Sequence, residues 1–326
     1  MSHYKHLTLV DREKLLFFVG QGIEIAGIAQ LLGRSRSTIY RELKRNSDCK
    51  AGYLPITAQK QYKKRRELCK RHKRLEDPAL YELVKDRFLK RHWSPEQIAG
   101  RLKLEGSLYH ISCATIYRAI YAGMFDTAEQ RRSQGNRGMK RRLRHKGKPR
   151  NSKNGESRWG RLTVDHTIDE RPQEANDRAR FGDWEADTVL GKRGKACLVT
   201  LVDRKSRYLR CLKVAGCKSD LVASAIFSLM QGFPCKTITT DNGKEFAQFA
   251  DISEALGGVP IYFAHPHHPW ERASNENTNG LLREYFPKRK DMTNISDETV
   301  QLAEADLNNR PRKIFGFKTP AEIFFA

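Results

Sequence analysis

The sequence has little that would place the protein in a membrane or outside the cell. No apolar run approaches the roughly 20 residues that a membrane-spanning helix needs. The first residues, Met1 to His6, are polar and lead into an amphipathic segment, so a signal peptide is not expected. The seven cysteines are scattered and none forms a Cys-x-x-Cys pair, which indicates reduced thiols. We therefore expect a cytoplasmic protein with no membrane partner.

Acidic residues are also scarce relative to basic ones. The chain carries 61 Lys and Arg against 38 Asp and Glu, a formal net charge of +23. An excess of this size points to a polyanionic partner, and nucleic acid is the first candidate. With 326 residues, of which 39% are hydrophobic, the chain can bury more than one core. Length alone predicts two or three domains.

Residues 8 to 46 have the pattern of a helix-turn-helix. Thr8 is a predicted cap of a first helix, Gly33 ends a second, and Ser35 caps a third. On this third helix Ile39 and Leu43 are four positions apart and face inward. The residues predicted to face outward, toward the DNA major groove, are Arg36, Ser37, Tyr40, Arg41 and Lys44. A small helical bundle with a charged solvent face is the alternative interpretation.

A second helix-turn-helix is predicted between residues 77 and 123. Ser94 begins a helix with Gln97 placed to complete a capping box, and Ser112 begins another that Gly123 ends. The outward residues predicted to contact DNA are Thr115 and Arg118. Because its last helix carries less outward charge than the first module, a purely structural bundle remains open here.

Basic segments surround this second module. Residues 131–150 contain ten Lys or Arg and no acid, which predicts an extended linker that follows DNA phosphates. The basic connector before the module either lies near phosphates or keeps the chain soluble. The predicted domains are therefore a helix-turn-helix at 1–50, a basic connector at 51–76, a second helix-turn-helix at 77–130, a flexible basic linker at 131–157, and an α/β core at 158–326.

Three carboxylates stand out in the predicted core, where three strands, a helix and a fourth strand follow one another. Asp187 precedes the apolar residues Thr188 to Leu190 in a segment that alternates like a strand. Asp241 follows a short β-branched strand, Thr237 to Thr240, at the strand end where open α/β sheets bind ligands. Glu276 lies on an amphipathic helix that can present it toward Asp241.

Gathered without a counter-charge, these acids would repel one another, so the pattern indicates a bound cation. No Cys or His accompanies them, and oxygen ligands favour magnesium or manganese. Two such ions about 3.5–4 Å apart can activate a water or a sugar 3′-hydroxyl and stabilise the leaving oxygen of a phosphodiester. Asp183 and Glu185 fall on the same strand face as Asp187 and remain alternative ligands. Zinc binding by the histidines between His265 and Arg272 is disfavoured, because two prolines interrupt that short loop.

Several segments carry a family resemblance. They are Trp184-x-x-Asp187-Thr188, Asp241-Asn242-Gly243-x-Glu245-Phe246, and Asn275-Glu276-Asn277-Thr278-Asn279-Gly280-Leu281-x-Arg283 with Phe286-Pro287-Lys288 after it. These segments resemble the signature of DDE transposases, which have a ribonuclease-H-like, integrase-type core. The third segment resembles the IS-thirty family of bacterial insertion sequences in particular, and the similarity extends over the whole chain.

The resemblance implies a function in DNA transposition. Asp187, Asp241 and Glu276 are then the catalytic residues and the ligands of two Mg²⁺ or Mn²⁺ ions, and Arg283 contacts a substrate phosphate. The N-terminal half recognises the terminal inverted repeats, and a multimeric complex cleaves the element ends and joins their 3′-hydroxyls to target DNA. The loop before Glu276 lies beside the catalytic pocket in related enzymes, so His265, His267 and Trp270 are candidates for DNA contact.

Two other functions remain open from the sequence. One is a DNA-binding regulator with an inactive core, although all three acids are present. The other is a nuclease acting on RNA–DNA hybrids, which the core fold alone would also permit. Two helix-turn-helix modules disfavour the nuclease, because they fit B-form major grooves rather than A-form ones.

Overall fold

The structure is a computed structural model that describes residues 6–48, 52–69, 74–127, 138–143, 166–192, 194–266 and 268–326. The predicted basic linker at 131–157 lies outside the described residues except for 138–143. The chain divides into two compact units, Met1–Glu76 and Asp77–Ala326. The finer domain limits stay a prediction.

The first unit is helical. It contains α1 (Leu9–Gly20), α2 (Ile25–Leu31), α3 (Arg36–Asn46), a ribbon of β1 (Ser47–Asp48) and β2 (Gly52–Tyr53), and α4 (Pro55–Leu68). Thr8 and Asp11 form a reciprocal capping box, and the Ser35 hydroxyl accepts from the amide of Thr38 at the start of α3. The basic connector thus contains a helix, Pro55–Leu68, which begins at a proline because proline suits the first turn of a helix.

A buried arginine fixes the third helix of this unit. Arg12 on α1 is 1% exposed. Its Nε donates to Glu42 Oε1 on α3 at 2.7 Å, and its NH1 donates to Gln59 Oε1 on α4 and to the carbonyl of Leu7. These bonds join three helices around a core that includes Ile39. Since one face of α3 is held in this way, its opposite face is presented to solvent.

The second unit begins with three helices: α5 (Pro78–Leu89), α6 (Pro95–Leu104) and α7 (Cys113–Ala122). The predicted Ser94–Gln97 capping box is present at the start of α6, and Gly123 ends α7 with φ 81°. The C-terminal segment covers α6: Gln97 Nε2 donates to the carbonyl of Pro311 at 2.7 Å, and Arg101 makes a two-pronged ion pair with Glu322. This helical module therefore packs against the core rather than standing free.

A five-stranded mixed sheet forms the centre of the second unit. Along the chain come α8 (Gln173–Asn176), β3 (Asp183–Leu190), β4 (Cys197–Asp203), β5 (Leu209–Val214), α9 (Ser219–Met230), β6 (Thr237–Thr240), α10 (Phe249–Ala255) and β7 (Ile261–Phe263). The strand order is β5-β4-β3-β6-β7; β3, β4 and β5 are antiparallel, whereas β6 and β7 run parallel to β3. The predicted order of three strands, a helix and a strand is confirmed.

Helices cover both faces of this sheet. One face packs on α9 and α10 through a cluster that includes Trp184, Leu201 and Ile226. The other packs on α11 (Ala273–Leu282) and α12 (Asp297–Asn308) through Leu198, Leu282 and neighbouring residues. Strand β4, which lies between β5 and β3, is consequently buried at every position. The last helix, α13 (Pro320–Phe324), adds Phe324 to the aromatic contacts of Trp184. No helix in the described part of the chain is long and apolar enough to cross a bilayer.

Candidate active site and nucleic-acid interface

Neighbouring parallel strands bring Asp187 and Asp241 to the same edge of the sheet. Asp187 lies in β3, and Asp241 comes directly after β6. Glu185 of β3 pairs with Thr239 of β6, so the same register two residues further on sets Asp187 level with Asp241. Both carboxylates face the guanidinium of Arg272: NH2 lies 3.0 Å from Asp241 Oδ2, and NH1 lies 3.7 Å from Asp187 Oδ1. The structure thus brings these two predicted site residues together.

Asp187 is held by two further donors. Its Oδ1 accepts from the backbone amide of Thr188 at 2.8 Å, and its Oδ2 accepts from Nδ2 of Asn279 on α11 at 2.9 Å. Burial raises the pKa of Asp187 to about 6; Arg272 opposes this shift, and the charges of Asp241 and Glu245 reinforce it. The site therefore stabilises the orientation of this carboxylate more than it stabilises its negative charge.

Glu276 reaches the same region by a different element. It lies exposed on the first turn of α11, three positions before Asn279, so the two residues share a helix face. Asn279 contacts Asp187, which places that face toward the two aspartates. Within the described residues, no hydrogen bond or ion pair joins Glu276 to Asp187 or Asp241. Its position follows from that of α11.

The alternative ligands on β3 are committed elsewhere. Asp183 pairs with Arg180 at 3.0 Å and accepts from the hydroxyl of Thr237. Glu185 pairs with Arg204 and accepts from the backbone amide of Asn275. Both carboxylates are fully buried. Their partners leave Asp187 as the acid of this strand that faces Asp241 and Arg272. We call the space around these three side chains the pocket.

Three residues of the pocket were missed by sequence reasoning as site residues: Arg272, Asn279 and Glu245. Glu245 accepts from the Thr188 hydroxyl at 3.3 Å, and its charge acts on the pKa of Asp187. Asn279 and Glu245 both belong to the quoted family segments, where their helical or loop spacing from the acids was an available signal. Arg272 gave no such signal, because its role depends on which residues the fold brings to it.

The histidine-containing loop forms a separate cluster. Among the described residues, one group of three His, Cys, Asp or Glu side chains has ligand atoms within 4.8 Å of one another: His265, His268 and Glu271. His265 lies between two acids, with Nδ1 3.0 Å from Glu271 and Nε2 3.2 Å from Asp169. Glu271 first, and Asp169 after it, raise the pKa of His265. This geometry favours a protonated imidazolium bridging two carboxylates. His267 lies outside the described residues, and Trp270 is exposed.

Arg283 follows α11 and is engaged with the end of a strand. Its NH1 donates to the carbonyl of Leu190, the last residue of β3, at 2.6 Å. Asp187 lies near enough to act on the pKa of Arg283, which burial lowers. Arg283 therefore lies beside the pocket. Its contact with a phosphate stays a prediction.

The predicted DNA-facing residues of α3 share one exposed surface, which we call the α3 face: Arg36, Ser37, Tyr40, Arg41 and Lys44. Arg41 Nε donates to the carbonyl of Ser37, and Lys44 lies over the ring of Tyr40. On α7 Arg118 is exposed, whereas Thr115 is half-buried and bonded to Ser112. The first module thus offers the more open basic surface.

Comparison with known proteins identifies the family. Residues 3–46 match a helix-turn-helix domain family. The transposase of insertion sequence IS4351 from Bacteroides fragilis is 37% identical over 324 residues, covering 98% of this chain and 95% of the relative. Transposase InsI of IS30C from Escherichia coli K12 is 36% identical and covers 98% of this chain and 83% of the relative. The chain belongs to the IS30 family of insertion-sequence transposases.

Membership of the IS30 family confirms the resemblance noted in the sequence. The expected fold class is confirmed as well, since a helical N-terminal region with a helix-turn-helix precedes the mixed α/β sheet. The crystal structure of the catalytic core domain of BIV integrase covers 44% of this IS30-family chain and 93% of its own, at 21% identity. The TM-score of that comparison is 0.36.

Proposed function

We propose that this transposase binds the terminal inverted repeats of its insertion sequence, cleaves the DNA ends and joins the 3′-hydroxyls to target DNA by two-metal-ion phosphoryl transfer. One observation carries the proposal: Asp187 and Asp241 lie at the same sheet edge and share one guanidinium. Two acids that share a single positive charge lack full compensation, so the pocket can accept further cations.

The donor set of the pocket fits magnesium or manganese. Asp187, Asp241 and Glu276 would hold two ions, and each offers only carboxylate oxygens, which are the ligands that these hard cations prefer. When bound, two such ions activate the attacking hydroxyl or water and stabilise the leaving oxygen. The fit is supported by the position of Arg272, whose guanidinium lies where the two carboxylates require positive charge.

The side chains around the acids orient them for this role. Asn279 and the Thr188 amide fix both oxygens of Asp187, and the amide of Gly243 donates to Asp241 Oδ1 at 3.2 Å. Ligands whose rotamers are held in this way lose little conformational entropy on binding. Arg283, beside the pocket, is placed to contact a phosphate of the substrate.

The α3 face is the proposed reader of the DNA ends. It carries exposed cations on a helix of the length and polarity that enters a major groove. Thr115 and Arg118 would add a second contact to double-stranded DNA, and the basic linker would follow phosphates. We further propose that the protein acts as a homo-oligomer bound to the element ends. It would do so in the bacterial cytoplasm, at the nucleoid.

Cleavage of a supercoiled plasmid that carries the element ends tests the function. We expect nicks at the ends with magnesium or manganese and none with chelator. Asp241→Asn should abolish them, whereas the matched control Asp251→Asn, at an exposed position of α10, should cleave like wild type. If a folded wild-type protein binds the ends specifically but cleaves with neither metal, the chain is a DNA-binding regulator instead.

A further inference from the structure

Arg272 occupies an unusual position in the pocket. It is the last residue of a short turn, Pro269–Arg272, and immediately precedes α11. Its side chain is 13% exposed and reaches the carbonyl of Ala186 on β3 at 3.2 Å as well as both aspartates. In the part of the chain that the structure describes, Arg272 is the one cation within ion-pair distance of either Asp187 or Asp241.

The oxygens that face Arg272 belong to the two acids that would hold metal. A divalent ion of the magnesium type binds a carboxylate oxygen at about 2.0–2.1 Å. The Arg272 guanidinium lies 3.0 Å from Asp241 Oδ2, so it already engages an oxygen that a bound ion would need. Guanidinium and metal are also both positively charged, so they repel when close together. The two cations therefore compete for one position.

We propose that Arg272 is a placeholder cation that compensates Asp187 and Asp241 before metal enters and leaves this position when metal binds. The inference rests on the proposed function, because it takes the two aspartates to be metal ligands. Arg272 then acts as a competitor: it lowers the affinity of the pocket for divalent ions as long as no DNA is bound.

DNA gives the displaced guanidinium a new partner. A substrate phosphate in the pocket offers the bidentate acceptor geometry that arginine prefers. DNA that attracts Arg272 away from the aspartates would make metal binding more favourable, and metal would favour DNA binding to the same extent. The placeholder thus couples metal loading to arrival of the substrate.

A merely structural role of Arg272 and the placeholder role predict opposite changes in metal affinity when Arg272 is removed. If Arg272 only anchored the loop through Ala186, its removal would loosen the pocket and weaken metal binding. As a placeholder, its removal takes away a competitor and leaves two aspartates without their counter-charge, which strengthens metal binding. The direction of the change separates the two roles.

The experiment measures Mn²⁺ binding to the metal-stripped full-length protein, without DNA, by the electron paramagnetic resonance signal of free Mn²⁺. We expect Arg272→Gln to bind Mn²⁺ about tenfold more tightly than wild type, a change within the range of ordinary coupling energies. The control Lys244→Gln removes an exposed charge near the pocket and should change affinity much less. Arg272→Lys keeps the charge without the planar fork, and its affinity should fall between wild type and Arg272→Gln.

Two outcomes overturn the proposals separately. Equal or weaker Mn²⁺ binding by both Arg272 variants, with binding still abolished in Asp241→Asn, removes the placeholder role and leaves the metal site intact. Mn²⁺ binding that Asp241→Asn does not change removes the metal site itself, and the proposed function with it.

The coupling to DNA has a test of its own. Adding a duplex of the element end should tighten Mn²⁺ binding to wild type more than to Arg272→Gln. An equal effect of DNA on both proteins contradicts the coupling.

Discussion

Strand β3 carries two kinds of carboxylate, and their surroundings differ. Asp183 and Glu185 are fully buried and paired within the fold: Glu185 pairs with Arg204, and Asp183 pairs with Arg180, which also binds exposed Glu174; each acid accepts from a further donor. Asp187 lies on the same strand but shares Arg272 with Asp241. A buried acid with its own counter-charge is complete within the fold. Acids that share one and are also partly exposed, as Asp187 and Asp241 are, remain open to an external cation.

The α3 face shows the complementary case with opposite sign. Among the described residues, Arg36, Arg41 and Lys44 take part in no ion pair, whereas buried Arg12 of the same unit is paired with Glu42. Charge that the fold leaves uncompensated marks the surface where a ligand of opposite charge is expected. For the α3 face that ligand is phosphate, and for the sheet edge it is a metal ion.

The largest expected effect separates the two kinds of acid on β3. Glu185→Gln leaves the 3% exposed Arg204 without its counter-charge and should destabilise the second unit by about 3–5 kcal/mol. Asp187→Asn removes a charge that burial disfavours, so the free energy of unfolding should stay the same or rise. Urea unfolding followed by circular dichroism, in chelator, measures both. Equal losses of stability would show that the two acids are compensated alike.

Glu185 also has an indirect effect on the site. Its Oε2 accepts from the amide of Asn275, and its backbone carbonyl accepts from the Asn275 side chain. These bonds fix the start of α11, the helix that carries Glu276. A structural acid of β3 therefore positions a proposed catalytic acid that it does not touch.

The sequence predicts well where local chemistry decides the structure. The caps at Thr8, Ser35 and Ser94 depend on a hydroxyl and an amide only a few residues away, and all three are present. The strand Thr237–Thr240 is found at its predicted bounds, because β-branched residues and a following Asn-Gly turn specify it locally. The acids of the pocket could be chosen for the same reason, since each follows or lies within such an element.

What the sequence did not predict depends on distant contacts. Gln97 and Arg101 have the pattern of a solvent face of α6, yet they bind Pro311 and Glu322 more than 200 positions away. Arg272 resembles any loop arginine until the fold places it against Asp187 and Asp241. No periodicity or motif can specify a partner that only the tertiary structure brings close.

An intermediate effect is expected on the α3 face. Arg36→Glu or Arg41→Glu should weaken binding to the element ends. For every phosphate that the protein no longer neutralises, the salt dependence of binding should fall by roughly 0.9 units of log K per log salt. Lys14→Glu, an equal charge change at an exposed position of α1, is the matched control. Fluorescence anisotropy with a labelled duplex over a salt series measures the slope. If the control weakens binding as much as the α3 variants, net charge rather than the α3 face explains the affinity.

The smallest effect is expected at His265, another cation that lies between two acids. Glu271 and Asp169 raise its pKa above the ordinary value of 6.5. A raised pKa means that the folded protein holds the proton more tightly, so the stabilisation is fully present below the ordinary value and disappears as pH rises through the raised pKa. Thermal melting over a pH series should therefore show a decline in wild type that His265→Gln lacks. A decline that persists unchanged in His265→Gln would mean that the imidazolium bridge adds no stability. In that case two ion pairs at a partly exposed cation would add no stability, and the comparison with the more buried Arg272 would end there.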